Sequence, residues 1–213
     1  MIKKQIIAIG DSHSRSFANS DYFISVFMGT GKENNFTSDD FAIKTEIKLL
    51  KIMSHFKKND HFMLVLGEPD CRWNTYNDWN TRISEGKQNK IIDSTSRFET
   101  SLLKIKQLYD NLIVYNVAPH TRNDQNLINQ TWNSKISSFC QKYGIFFCNI
   151  YNEVLSNLDK YLIKGDHCHL NHSVQELVIK KLQINKKITN VPVDDNLFNF
   201  DQRFLCYTLK SKK

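Results

Sequence analysis

Five short apolar runs, separated by polar turns and amphipathic segments, constrain the fold of this chain more than any other feature. Gln5–Ile9, Tyr22–Met28, His61–Leu66, Asn111–Val117 and Ile145–Ile150 are rich in β-branched and aromatic residues. Runs of this length without strict alternation read as strands buried on both faces. Between them lie helical patterns. In Ser38–Phe56, Phe41, Ile43, Ile47, Leu50 and Phe56 recur at roughly helical spacing, with Ser38 as N-terminal cap and Asp39 and Asp40 in the first turn. Ile91–Tyr109, Asn126–Tyr143 (stopped by Gly144) and about His172–Leu182 follow. Cys71–Gln88, which holds Trp73 and Trp79, reads as a long loop with short helical pieces.

Strands alternating with helices imply an α/β fold: a parallel sheet covered on both faces. Five strands fit a three-layer α/β/α, flavodoxin-like arrangement over residues 1–184. Residues 185–213 read as an extension that packs on the domain or at an interface. The 40% hydrophobic content suffices for a core, and the 7 glycines and 3 prolines argue against flexible linkers.

In open sheets of this kind, sites form beyond the C-terminal ends of the strands. The polar clusters fall there: Asp11-Ser12-His13 after the first strand, Gly29 after the second, Glu68 to Arg72 after the third, and Asp166 to His169 before the last helix. A serine hydroxyl is a weak nucleophile until a base takes its proton and a third group orients that base. Asp166 and His169 have the spacing to supply acid and base from one loop. Ser12 follows a strand and opens a helix, where N–H groups can face developing negative charge. Taken singly, Gly-Asp-Ser can be a turn with a helix cap, and Asp-x-x-His a surface ion pair. Their order along the chain is the specific signal.

Charge and cysteines narrow the alternatives. The formal charge is +7, with basic residues gathered near both ends, which suits a solvated surface or a weak association with anionic surfaces. No arginine-rich helix or zinc-finger spacing points to nucleic acid. No apolar run approaches a membrane span, and the amino-terminal run is too short for a signal peptide, so a cytoplasmic location is expected. Five irregularly spaced cysteines argue against a disulfide framework. Asp166, His167, Cys168, His169 and His172 include zinc-type ligands, but no distant pair with matching spacing completes a set, so no metal is expected. Cys71 or Cys168 as nucleophile is a minor alternative.

In these residues the chain resembles the SGNH (GDSL-like) hydrolases over about residues 5–184. Gly10-Asp11-Ser12-His13-Ser14 is similar to that family's first motif, with His13 where many members carry Leu. Asp166-His167-Cys168-His169 is similar to its last. The resemblance implies Ser12 as nucleophile, His169 as general base and Asp166 as its orienting acid. It implies the backbone N–H groups of Ser12 and Gly29 as oxyanion donors. The third motif departs: where many members have Gly-x-Asn-Asp, this chain reads Gly67-Glu68-Pro69-Asp70-Cys71-Arg72. Pro69 donates no hydrogen bond, and Arg72 is the candidate replacement donor. This form resembles a subgroup found with surface-polysaccharide biosynthesis. It implies acyl-ester chemistry on carbohydrate, leaning to O-acetyl transfer to a capsular or other surface polysaccharide. Acetyl-CoA would then be the acyl donor, with no tightly bound cofactor. An O-acetyl esterase and a non-catalytic carbohydrate-binding module are the alternatives. His13, Glu68, Asp70 and Trp73 are further candidates for substrate contact. Each also has a structural reading: His13 on an exposed first turn, Glu68 as a hydrogen bond across strand ends, Asp70 pinning a loop, Trp73 anchoring one.

Overall fold

The computed structural model describes residues 2–29, 35–76, 85–192, 198–201 and 204–207. The five expected runs form strands β2 (Ile6–Gly10), β3 (Phe23–Phe27), β4 (His61–Val65), β5 (Leu112–Tyr115) and β6 (Phe146–Cys148). They pair in parallel in the spatial order β6-β5-β4-β2-β3. The first of these strands, β2, therefore lies inside the sheet with its two successors on either side, and a crevice opens at the switch point between β2 and β4.

Each strand serves two cores at once, because side chains alternate across the sheet. Ile7 and Ile9 of β2, Phe62 and Leu64 of β4, and Leu112 and Val114 of β5 face one apolar layer. That layer is closed by α1 (Asp39–Met53), α3 (Glu85–Leu108) and α4 (Asn123–Lys142), through Leu49, Ile52, Leu102, Trp132 and Ile136. Ile6, Ala8, Met63, Val65, Ile113 and Tyr115 face the opposite layer. There Phe17, Val154 of α5 (Tyr151–Leu155), Tyr161 of α6 (Leu158–Tyr161) and Val174 and Val178 of α7 (Val174–Lys181) cover them. The result is the expected three-layer α/β/α sandwich.

Three details differ from the sequence reading. On α1 the Ser38 cap forms as expected, its hydroxyl accepting from Phe41 N–H at 3.4 Å. The helix, however, buries Ala42, Thr45, Leu49, Ile52 and Met53 and leaves Phe41, Ile43 and Ile47 at the surface. Second, one of the short helical pieces expected from Cys71 onward begins earlier: α2 spans Glu68–Tyr76. Pro69 stands in its first turn, where its missing N–H costs nothing. The helix expected from Ile91 already begins at Glu85. Trp79 lies outside the described residues, as does the side chain of Trp73. Third, part of the extension joins the sheet: β9 (Phe204–Tyr207) runs parallel beside β3 with β8 (Phe198–Asp201) antiparallel beyond it, while β7 (Ile184–Thr189) pairs with β1 (Ile2–Lys4) as a separate two-stranded sheet. Cys71, Cys140, Cys148 and Cys168 are buried and form no disulfide.

Candidate active site

The loop after β2 tightens at once into a 3₁₀ helix, Ser12–Phe17. The cap is Asp11, whose carboxylate accepts from His13 N–H at 2.9 Å, and not Ser12. The Ser12 hydroxyl is thereby released for another partner. Across the crevice, the loop between α6 and α7 is held by backbone bonds between Ile163 N and His169 O (3.0 Å) and between Asn171 N and Tyr161 O (2.7 Å). Asn171 also donates to the carbonyls of Lys160 and Leu162. The two loops are tied directly to each other, since Ser16 donates to the Leu170 carbonyl at 2.7 Å and Gln175 to the Ser16 carbonyl at 2.8 Å.

This frame brings together the three residues named from sequence. Ser12 Oγ lies 2.9 Å from His169 Nε2, and His169 Nδ1 lies 2.9 Å from Asp166 Oδ2. The other carboxylate oxygen of Asp166 accepts from the backbone N–H groups of Cys168 and His169, each at 2.9 Å. Burial alone would raise the Asp166 pKa. Those two N–H groups and the His169 ring outweigh it and hold the carboxyl well below the usual carboxylate range. An ionised Asp166 accepts only, so the His169 proton sits on Nδ1, and the lone pair of Nε2 faces the Ser12 hydroxyl.

Beneath this line of three lies a second polar layer that the sequence did not disclose. His13 is 6% exposed and its ring stacks on that of His169, centroids 4.6 Å apart and planes at 20°. Its Nε2 stands 3.5 Å from Glu68 Oε2, and Arg72 Nη2 approaches the same oxygen at 3.3 Å. Burial would lower the His13 pKa, but Cys168, Glu68 and Asp11 around it carry it well above the ordinary histidine value. Burial would raise Glu68, but His13 and Arg72 bring it below its usual value. Asp11 and Asp70 have less help. Burial raises both, Asp70 to about 8, although Asp70 accepts from Phe36 N–H at 2.7 Å. A cavity of about 10 Å³, room for about one water molecule, is lined by Asp11, His13, Glu68 and Tyr115 among others.

His13, Glu68 and Asp70, the candidates for substrate contact, all have buried side chains. His13 and Glu68 form a buried charged floor under His169, whereas Asp70, equally buried, has its pKa raised to about 8 and holds its proton at neutral pH. Asp70 pins the segment around Phe36, as its structural reading had it. Arg72 is half-buried and docks on Glu68. Gly29, two residues past the end of β3, has a φ of 114°, a conformation that favours glycine. Met28 N–H donates to the Gly10 carbonyl at 2.8 Å, which keeps this segment beside the start of the Ser12 loop. Cys71 is fully buried, and burial pushes its thiol well above the ordinary value, which removes it as a nucleophile. Cys168 sits between the two imidazoles. Burial would raise its thiol, but His13 and His169 lower it. His167 and His172 point elsewhere, to Thr121 and to the Ser16 carbonyl.

No protein-family model matches the chain. No curated protein matches it by sequence. Solved structures do match in fold. A catalytic mutant of an acetylxylan esterase from Geobacillus stearothermophilus superposes with a TM-score of 0.59 at 11% identity, over 88% of this chain and 97% of that one. An α/β hydrolase from the metagenome of Lake Arreo, Spain, gives 0.57 at 9% identity, over 85% and 94%. Phospholipase A1 from Streptomyces albidoflavus gives 0.53 at 14% identity, over 84% and 98%. The chain thus has the fold of these solved structures. The catalytic mutants of the acetylxylan esterase are substitutions of a serine, an aspartate and a histidine.

Proposed function

We propose that this chain is a serine-dependent acyl-ester enzyme acting on O-acetylated carbohydrate, with Ser12 as nucleophile, His169 as general base and Asp166 as the acid that orients it. The observation that carries this reading is the unbroken line Asp166–His169–Ser12, two hydrogen bonds of 2.9 Å with the basic nitrogen facing the hydroxyl. The same three residue types in the fold-mates' catalytic mutants support it, and the acetylxylan esterase supports carbohydrate as the substrate class. A non-catalytic carbohydrate module would not need this line.

In the reaction, His169 Nε2 takes the Oγ proton as Oγ attacks the ester carbonyl. The tetrahedral oxyanion forms against the backbone N–H groups of Ser12 and Gly29, with Arg72, shifted from Glu68, as a third donor. Collapse breaks the ester bond, and the leaving sugar oxygen takes the proton back from His169, leaving acyl-Ser12. Water, deprotonated by His169, then attacks to release acetate and free Ser12. A second reading rests on the Gly67–Arg72 segment, which departs from the asparagine form: a sugar hydroxyl replaces water, acetyl-CoA supplies the acyl group, and the product is an O-acetylated surface polysaccharide or its precursor.

Fluorophosphonate labelling and acetate release from acetylated xylooligosaccharides, each with wild type and Ser12→Ala, test the proposal. Labelling and release that vanish together in the variant are expected. Folded wild type that is neither labelled nor active refutes it. Incubation with acetyl-CoA and polysaccharide separates the two fates: acylated sugar marks transfer, free acetate hydrolysis.

A further inference from the structure

We propose that His13, Cys168 and His169 form a binding site for a soft divalent cation, zinc in the first place, and that its occupation switches the serine site off. The inhibitory half rests on the proposed esterase reading; the binding half does not.

The ligand atoms of the three side chains all lie within 4.8 Å of one another. They come from two segments more than 150 residues apart, which is why no spacing in the sequence shows the set. A thiolate and two imidazoles are the donors that zinc prefers, at about 2.3 Å for sulfur and about 2.0–2.1 Å for nitrogen. Tetrahedral geometry with those lengths separates sulfur and nitrogen by about 3.6 Å. Cys168 Sγ already stands 3.7 Å from His169 Nδ1. His13 has only to close the remaining gap, and its ring is already stacked against that of His169. His13 and Cys168 are 6% and 7% exposed, so the cation would sit largely out of water. A carboxylate, Glu68, stands at the Nε2 of His13 and supports that imidazole. Carboxylates in that position orient metal-bound histidines.

The antagonism with catalysis follows from atom use. Both ring nitrogens of His169 are committed, Nε2 to Ser12 and Nδ1 to Asp166. A cation on Nε2 takes the lone pair that must accept the Ser12 proton. A cation on Nδ1 displaces Asp166. Either way the base is lost, while the Cys168 thiol gives up its proton to solvent and the bound ion carries the charge. Metal and substrate turnover are therefore mutually exclusive at this site.

Cobalt(II) titration of the full chain reads the site without relying on activity, because a thiolate bound to cobalt produces a near-ultraviolet charge-transfer band. The expected result is one equivalent of cobalt with that band, displaced by zinc. Cys168→Ser abolishes the band, and His13→Gln weakens cobalt binding by more than about 10-fold, with circular dichroism confirming that each variant is folded. Zinc also suppresses acetyl-ester hydrolysis by wild type, and a chelator restores it. Absence of the band, or a band that survives both substitutions, overturns the inference. So does hydrolysis by wild type that saturating zinc leaves unchanged. A protein with the band but no esterase activity at all refutes the proposed function and leaves the site standing.

Discussion

Replacing Asp166 by asparagine tests the relay at the atom that sets its direction. Oδ1 of Asp166 accepts two backbone N–H groups at 2.9 Å each. An asparagine must keep its carbonyl oxygen there, since turning the amide over would set an NH₂ against two donors. Its nitrogen then faces His169 Nδ1 and donates to it. The imidazole proton moves to Nε2, where it points at Ser12, and the base has no lone pair for the hydroxyl. Restoring the productive tautomer forfeits a hydrogen bond to a charged acceptor and opposes two N–H groups, together about 4–5 kcal/mol. At about 1.4 kcal/mol per tenfold, the loss in kcat/KM is about 10³–10⁴. Asp166→Ala imposes no tautomer and is expected to lose less than Asp166→Asn. The assay is initial-rate hydrolysis of an acetyl ester on the neutral plateau, with thermal melts alongside. Because asparagine keeps both backbone bonds, stability should fall by less than about 1 kcal/mol. An asparagine variant within tenfold of wild type, or more active than the alanine variant, would refute the reasoning.

Three further variants, at and beside the floor of the site, give four expected outcomes. His13→Gln removes a cation that opposes protonation of His169, so the acid limb of the kcat/KM–pH profile should move to higher pH, and a shift the other way would contradict the stacking argument. The same variant leaves Glu68 with Arg72 alone and should lose roughly 2–4 kcal/mol in urea melts at pH 7. Asp70 keeps its proton in the folded chain up to about pH 8, whereas unfolded it loses it near the usual carboxylate value. Its contribution to stability is complete below that value and drains away as pH rises to 8, by at most about 1.4 kcal/mol per pH unit. Asp70→Asn should match wild type near pH 4 and become the more stable of the two toward pH 8, and parallel melting curves across that range would refute this. Gly67 holds φ of 108° with the Trp132 ring so near that an added Cβ would lie 2.6 Å from its Nε1. Gly67→Ala should therefore cost more than about 2 kcal/mol by chemical denaturation, and a smaller loss would show that the Trp132 ring can yield.

Much of the fold was readable because each buried strand carries its own signal. Ile6–Gly10 and His61–Val65 are continuous apolar runs, and nothing but a two-faced sheet accommodates them. The Ser12, Asp166 and His169 constellation was legible for a different reason: two local motifs kept a fixed order along the chain. The rest depended on contacts between distant segments. His13 sits where an exposed turn residue is expected, and only the approach of His169 and Glu68 buries it. The face that α1 buries was misjudged because Phe41, Ile43 and Ile47 are larger than Ala42 and Thr45. The helix nonetheless turns its smaller residues inward, where space beside the sheet is limited. β8 alternates apolar and polar residues and β9 is apolar throughout, but each is only four residues long, so their place in the sheet is set by the edge they meet.

That edge carries a consequence for handling the protein. Val26 and Phe27 of β3 register with Leu205 and Cys206 of β9, and the next turn leads directly to Gly29. A version cut after residue 184 would bare a row of backbone donors and acceptors along β3, the kind of open border on which chains stack into aggregates. It would also slacken the strand that presents one of the two proposed backbone oxyanion donors. The tail is thus a selvedge: it keeps the weave from fraying and holds the mouth of the site in shape.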